Sequence, residues 1–236
     1  MSMLGEMTGA RVEPTARPVA AARAGATWEE RIRTAAIVIG RLGLAYLFFT
    51  QLFWKLPPTF GCPADFRFTT AGPNGQLVRS SGLCDWIGIE SAWASRPRQL
   101  LVTDVGGGLK LGVPVEPVVK LNGAFIDGFV QPNIRWFGWL IWGAEAFIAL
   151  SLGLGLFSRL GGLIALAVAG QLTIGLAGIG NPYEWEWSYL QIMLLAVLMI
   201  GLAPGRHFGL DARLRPRLAE AAAAGNRAAR FALMLT

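Results

Sequence analysis

Residues 134–157 read IRWFGWLIWGAEAFIALSLGLGLF, an apolar run that contains one carboxylate, Glu145. A transmembrane helix needs about 20 predominantly apolar residues, so this run is long enough to cross a bilayer. Three further stretches qualify, at 34–54, 160–179 and 187–203. The whole chain is 53% hydrophobic and 15% charged, whereas a soluble domain carries about 25% charged residues. The sequence therefore predicts an all-α integral membrane protein, built as a four-helix transmembrane bundle.

The basic residues that flank these spans predict their orientation, because short segments rich in Lys and Arg stay in the cytoplasm. Arg31 and Arg33 precede the first span, Arg159 lies between the second and third, and six arginines follow the fourth. Both termini are therefore expected in the cytoplasm, with the chain embedded in the cell membrane. The same placement attributes the net charge of +6 to membrane topology rather than to nucleic-acid binding.

This topology divides the chain into a cytoplasmic tail, a membrane domain and a second cytoplasmic tail. The first tail is expected to be flexible or bound to a partner, and the second is basic and prone to form helix. The boundaries are 1–33, 34–203 and 204–236, and a long extracytoplasmic loop covers 55–133. A loop of that length is expected to contain secondary structure of its own.

Both cysteines of the chain, Cys62 and Cys84, fall in this outer loop. An oxidising compartment favours a disulfide between them, the alternative being two unrelated thiols. Residues 109–130 have apolar groups broken by Gly and Pro, which predicts one or two short helices along the membrane surface. Residues 93–104 are expected to be extended or turn-like, and the GGG at 106–108 is expected to form a turn.

Ionisable side chains inside a span are costly and face a bundle interior or a functional cavity. Arg41 in the first span and Glu145 in the second are predicted to form an interhelical ion pair, with Gln171 of the third span at a similar depth. Two interpretations remain open. These three groups either hold the bundle together or form a site for a quinone head group or a proton relay.

The connection between the third and fourth spans reads NPYEWEW, residues 181–187. Amphipathic rings favour the membrane interface, so the segment is either an aromatic belt with solvated acids or part of an outward-facing pocket. The pocket would be lined by five side chains, with Lys55 neutralising a carboxylate or contacting an anionic substrate: Trp54, Lys55, Glu184, Glu186 and Gln191.

The residue inventory excludes several cofactors. His207 is the single histidine, so a haem held by two histidines of this chain is impossible, and no Cys/His cluster predicts a zinc or iron–sulfur site. We therefore expect no covalently bound cofactor and no metal. Any redox chemistry requires a quinone or a partner subunit to carry the electrons.

Several short stretches resemble the DoxX/DoxD family, which includes the small membrane subunit of thiosulfate:quinone oxidoreductase. They are GRLGLAYLFFTQLFWKL in the first span, WGAEAFIALSLGLGLFSRLGGL in the second, and PGRHFGLDARL after the fourth. The residues that carry the resemblance are Arg41, Lys55, Glu145, Arg159, Arg206, Gly209, Leu210 and Asp211. The resemblance implies a four-helix membrane subunit linked to quinone or sulfur oxidoreduction. The long outer loop departs from the family pattern, which puts a thiosulfate-specific role in question and points to a docking surface.

Two functions follow as hypotheses. In the first, the chain is the membrane subunit of a quinone-linked oxidoreductase, with Glu145 handling protons and Arg41 as its charge partner. In the second, it is a non-catalytic accessory subunit of a larger energy-converting membrane complex. A small-solute carrier is a third hypothesis, and enzymatic activity is left open. Lipid and other membrane subunits are the expected partners.

Overall fold

A computed structural model describes residues 27–176, 178–179 and 186–236 of the chain. Within these residues the protein is mostly helical, with four short strands. The helices are α1 (Trp28–Gln51), α2 (Gly82–Ala94), α3 (Glu116–Phe125), α4 (Ile134–Leu154), α5 (Ser158–Leu176), α6 (Glu186–Leu202), α7 (Leu210–Ala223) and α8 (Arg227–Leu235). A π-helical turn, Ile126–Val130, follows α3, and a 3₁₀ turn, Pro204–Arg206, precedes α7.

Three helices in the described part of the chain, α1, α4 and α5, are long and apolar enough to cross a membrane. The fourth predicted span corresponds to α6, a shorter apolar helix of 17 residues. The prediction of helices long and apolar enough to span a membrane is confirmed for three of the four spans.

Helix α1 begins six residues before the predicted span, inside the expected tail; residues 1–26 of that tail lie outside the described residues. The early start has a local cause. The Thr27 hydroxyl accepts the backbone N–H of Glu30, and the Glu30 carboxylate accepts the backbone N–H of Thr27. This reciprocal cap satisfies two amides that a helix start leaves free.

Four helices meet in one apolar core, in which α1 packs along α4, and α5 packs along both α4 and α6. The buried residues of this core are Leu44, Ala45, Phe48, Ile148, Ala149, Leu152, Ala165, Ala196 and Met199. Small residues on α5 permit the close approach. A Cβ on Gly162 would lie 2.9 Å from the Cβ of Met199 on α6. Helix contacts in apolar surroundings depend on such close packing.

Residues 52–133, which we call the cap, fold into a substructure of their own, and its strands correct the prediction of an all-α chain. Strand β1 (Thr70–Ala71) pairs with β2 (Leu77–Val78), and β3 (Gln99–Asp104) pairs with β4 (Lys110–Pro114), both antiparallel.

The long hairpin of the cap tests three local predictions. The extended conformation expected near 93–104 is found in β3, although residues 82–94 form α2. The expected turn at 106–108 is confirmed, since the three glycines take φ values of 93°, 62° and 81°, which only glycine adopts readily. Residues 110–114 were expected to be helical and form β4 instead, because pairing with β3 satisfies their backbone groups. The short helices predicted farther along are α3 and the π-helical turn.

A disulfide joins Cys62 to Cys84 inside a second apolar core, as the sequence predicts. The bond fixes the start of α2 to the segment that follows α1. Phe60 and Ile134 pack in the same core, so the disulfide also anchors the cap to the first turn of α4.

Removing this disulfide is expected to destabilise the cap. The bond closes a loop with a sequence separation of 22, which corresponds to about 3 kcal/mol of stability by the chain-entropy relation. We expect Cys62→Ala/Cys84→Ala to lower the thermal unfolding temperature in detergent by an amount that a reducing agent reproduces in the native chain. The reductant should leave the double variant unchanged. An unaltered unfolding temperature in fully reduced native protein contradicts the prediction.

The chain closes at the opposite end of the helices around Asp211, which is fully buried at the start of α7. Its carboxylate accepts the backbone N–H of Phe157 at 2.7 Å, and the backbone N–H and hydroxyl of Ser158 at 3.0 and 2.8 Å. Asp211 therefore caps the N-terminus of α5 from a distant part of the chain, where the helix dipole also favours a negative charge. We call residues 155–158 together with 203–211 the junction.

Candidate functional site

A cavity of about 540 Å³ lies between the helices and the cap. Its walls come from α1, α4, α5 and α6 and from α2 and α3 of the cap. Most of the lining is apolar, and the polar or charged side chains that reach it include Gln51, Lys55, Glu90, Asn122, Glu145 and Gln171. A mostly apolar cavity with a few placed polar groups is the usual form of a small-molecule site.

Lys55 and Glu145 form an ion pair on one wall of this cavity. Each side chain is only 5% exposed. The Lys55 ammonium also lies 4.6 Å from the centre of the Trp54 ring, which provides a cation–π contact. Desolvation lowers the pKa of Lys55 from its ordinary value, and the Glu145 carboxylate offsets part of that shift. The ammonium pairs with Oε1, while Oε2 of Glu145 is buried and accepts no hydrogen bond from the described residues.

The prediction that Arg41 is the charge partner of Glu145 is wrong. The Arg41 guanidinium donates to the backbone carbonyls of Pro204, His207 and Phe208 in the junction, and Asp211 supplies the nearby negative charge.

The cause is the register of α1 against α4. Arg41 sits against Gly155, where any Cβ would collide with the guanidinium. Glu145 lies ten residues earlier on α4, about 15 Å along the axis at 1.5 Å per residue. That distance places Glu145 beside Lys55, four residues beyond the end of α1 at Gln51.

A second buried carboxylate, Glu90 of α2, faces the same cavity and is only 4% exposed. Its Oε2 accepts the side-chain amides of Asn122 on α3 and Gln171 on α5, at 3.0 and 2.7 Å. Desolvation raises the pKa of Glu90 to about 7, while the two amides and the charge of Arg98 act against the increase. Glu90 therefore changes charge near neutral pH.

Gln171 reaches the cavity as predicted, but its hydrogen-bond partner is Glu90 rather than the Arg41–Glu145 pair. Trp54 and Lys55 also line the cavity. Gln191 is exposed on the surface of α6 and is not among the lining residues. Glu184 lies outside the described residues, and the side chain of Glu186 is likewise not described.

Glu90 and Asn122 were not anticipated from the sequence. A signal for Glu90 was present, because Leu83, Ile87 and Glu90 share one face of α2 at helical spacing, and an acid on an apolar face predicts a buried carboxyl. Asn122 carries no comparable signal. Asn122 reaches Glu90 only because α3 packs against α2.

The site therefore presents an apolar chamber with two distinct acidic groups, one ion-paired and one bonded only to amides. No group of three His, Cys, Asp or Glu side chains in the described ranges is placed to hold a metal ion. Comparisons of the chain with protein families, with characterised proteins and with solved structures find no match.

Proposed function

We propose that this chain is the membrane subunit of a quinone-linked oxidoreductase and that the cavity holds the quinone head group. The observation that carries the proposal is the combination of an apolar chamber of about 540 Å³ with the buried Lys55–Glu145 pair and the Glu90 amide cluster. The resemblance of the sequence to the DoxX/DoxD family points the same way.

The chemistry of a quinone fits these walls. A quinone head is flat and apolar on its faces, and its two carbonyl oxygens accept hydrogen bonds. Lys55 offers an ammonium donor, and Trp54 and Trp86 supply aromatic surface, with ring centres 6.4 Å apart. An isoprenoid or alkyl tail matches the aliphatic side chains of α1 and α4 that line the rest of the cavity.

In the proposed reaction, reduction of the quinone takes up two electrons and two protons. The electrons come from a reduced partner subunit, and the side chains of this chain hold the head group and supply protons. Glu145 keeps the proton-handling role, with Lys55 rather than Arg41 as its charge partner.

The proposal includes a membrane arrangement. Helix α6 is the fourth span of a four-helix bundle in the cell membrane. Residues 55–133 lie outside the cytoplasm, and both termini lie in the cytoplasm. Arginines at the junction end and the disulfide in the cap support this orientation.

A cavity-filling variant tests quinone binding. Ala144 lines the cavity next to Glu145, so Ala144→Phe should displace the head group and weaken binding of decyl-benzoquinone by on the order of tenfold or more. Ala36→Phe places the same side chain at an exposed position of α1 and is the matched control. Binding is measured by quenching of tryptophan fluorescence in detergent. Equal affinity in both variants, or no binding by the native chain, refutes the proposal.

An accessory role in a larger membrane complex is the second candidate. Helix α8 favours it, because Phe231 and Met234 are each 60% exposed on a helix that also carries arginines. Such a helix binds an anionic lipid surface or a partner chain. Native mass determination in mild detergent distinguishes the cases: isolation as a lone chain that binds quinone rejects the accessory role.

A further inference from the structure

The two oxygens of the Glu90 carboxyl differ in their hydrogen bonds. Both amide donors, Asn122 Nδ2 and Gln171 Nε2, end on Oε2. Oε1 accepts no hydrogen bond from any described residue, and Glu90 lines the cavity. When the carboxyl is protonated, the proton therefore belongs on Oε1, because Oε2 already receives two N–H groups.

The backbone around Glu90 fits this arrangement. The carboxyl packs against Gly175 near the end of α5, where a Cβ would overlap Oε2. Arg98 donates to the carbonyls of Ile174 and Gly175 at 2.7 and 2.8 Å, and so fixes the end of the helix that bears Gln171. Glu90 is thus held from α2, α3 and α5 at once.

We propose that the protonated Glu90 carboxyl donates a hydrogen bond to a carbonyl oxygen of the bound quinone, so that the cavity takes a neutral quinone head only when Glu90 carries its proton. This inference rests on the proposed function and adds a second ligand contact in the cavity that Lys55 also lines. An ionised carboxylate at the same place has no hydrogen to donate and repels the carbonyl oxygen.

The charged and titratable groups around Glu90 in the described residues come from the segment after α2, from α4, from α6 and from the chain after α1. Arg98, from the segment after α2, supplies a positive charge nearby. The groups that approach from α3 and α5 are the neutral amides of Asn122 and Gln171. Lys55, Glu145 and Tyr189 line the same cavity from the other helices and the chain after α1. Of these, Lys55 and Glu145 compensate each other's charge.

We expect the affinity for quinone to fall as the pH rises through the pKa of Glu90. With a pKa of about 7, the apparent dissociation constant of decyl-benzoquinone should rise about 30-fold between pH 5.5 and pH 8.5. Glu90→Gln keeps a neutral donor at this position, so this variant should bind with little change at every pH. Glu220→Gln makes the same exchange at an exposed position of α7 and should keep the native profile.

A measurement on the native chain keeps the test independent of how the variant folds. At pH 8, binding of one quinone should take up about 0.9 proton, read from the dependence of the calorimetric enthalpy on buffer ionisation. Quinone binding without proton uptake, or an unchanged pH profile in Glu90→Gln, overturns this inference and leaves the proposed function standing. If the native chain binds quinone at no pH, both this inference and the proposed function are overturned.

Discussion

Replacing Lys55 by Met is expected to destabilise the protein by about 3–5 kcal/mol, because it leaves the Glu145 carboxylate buried without its counter-charge. Both side chains are 5% exposed, so water cannot take over the role of the ammonium. Loss of the pair also removes the cation–π contact with Trp54. Unfolding is measured by circular dichroism as the denaturing fraction of a mixed micelle increases.

A double variant separates the effect of the lost ion pair on stability from the effect of the changed side-chain volume. Lys55→Met/Glu145→Leu removes both charges together, and should recover most of the stability that Lys55→Met loses, since a buried pair is often replaceable by apolar groups of similar volume. Lys120→Met, at an exposed position of α3, is the control for losing a lysine. If Lys55→Met and Lys120→Met unfold alike, the buried pair does not contribute to stability.

Replacing Asp211 by Ala should detach the junction from α5. Three hydrogen bonds to one carboxylate are lost, and the amides of Phe157 and Ser158 lose their acceptor, the second of them at a buried position. We expect a loss of about 3 kcal/mol, which lowers the thermal unfolding temperature by roughly 6–12 °C for a chain of this size.

The effect should extend to Arg41, which loses the negative charge of Asp211 and is held by the carbonyls of the same junction. Asp211→Asn retains an acceptor oxygen and should fall between Asp211→Ala and the native chain. Glu220→Ala, an exposed acid on the same helix, serves as the control and should change little. Equal unfolding temperatures for Asp211→Ala and Glu220→Ala would show that the cap at α5 is dispensable.

The residues that follow the fourth predicted span have structural roles that the sequence did not reveal. Arg206, Gly209, Leu210 and Asp211 were noted from the sequence as part of a family resemblance, which gives them no physical role. The structure supplies one for three of them. Arg206 donates to the backbone carbonyl of Thr236 at 2.9 Å and so holds the end of α8. Asp211 caps α5, and Gly209 packs so closely against Gly205 that a Cβ would overlap its carbonyl oxygen.

The limits of the sequence are clearest for the charged residues. Long apolar runs identify α1, α4 and α5, because the thickness of a bilayer sets a minimum length for an apolar run and that length can be read directly from the sequence. The same runs show that Arg41 and Glu145 are exceptional residues. They do not show the partner of either residue, because two antiparallel helices can slide past each other without changing their apolar composition.

The sequence by itself predicted apolar helices long enough to cross a membrane and a disulfide between Cys62 and Cys84. These properties depend on composition and on compartment, and neither requires the position of a distant side chain. The tertiary structure alone decided that Lys55 meets Glu145 and that Glu90 meets Gln171. The first contact joins residues that are 90 positions apart in the sequence, and the second joins residues that are 81 positions apart. Both exist because the register of α1 against α4 and the folding of the cap onto α5 bring distant side chains to one cavity.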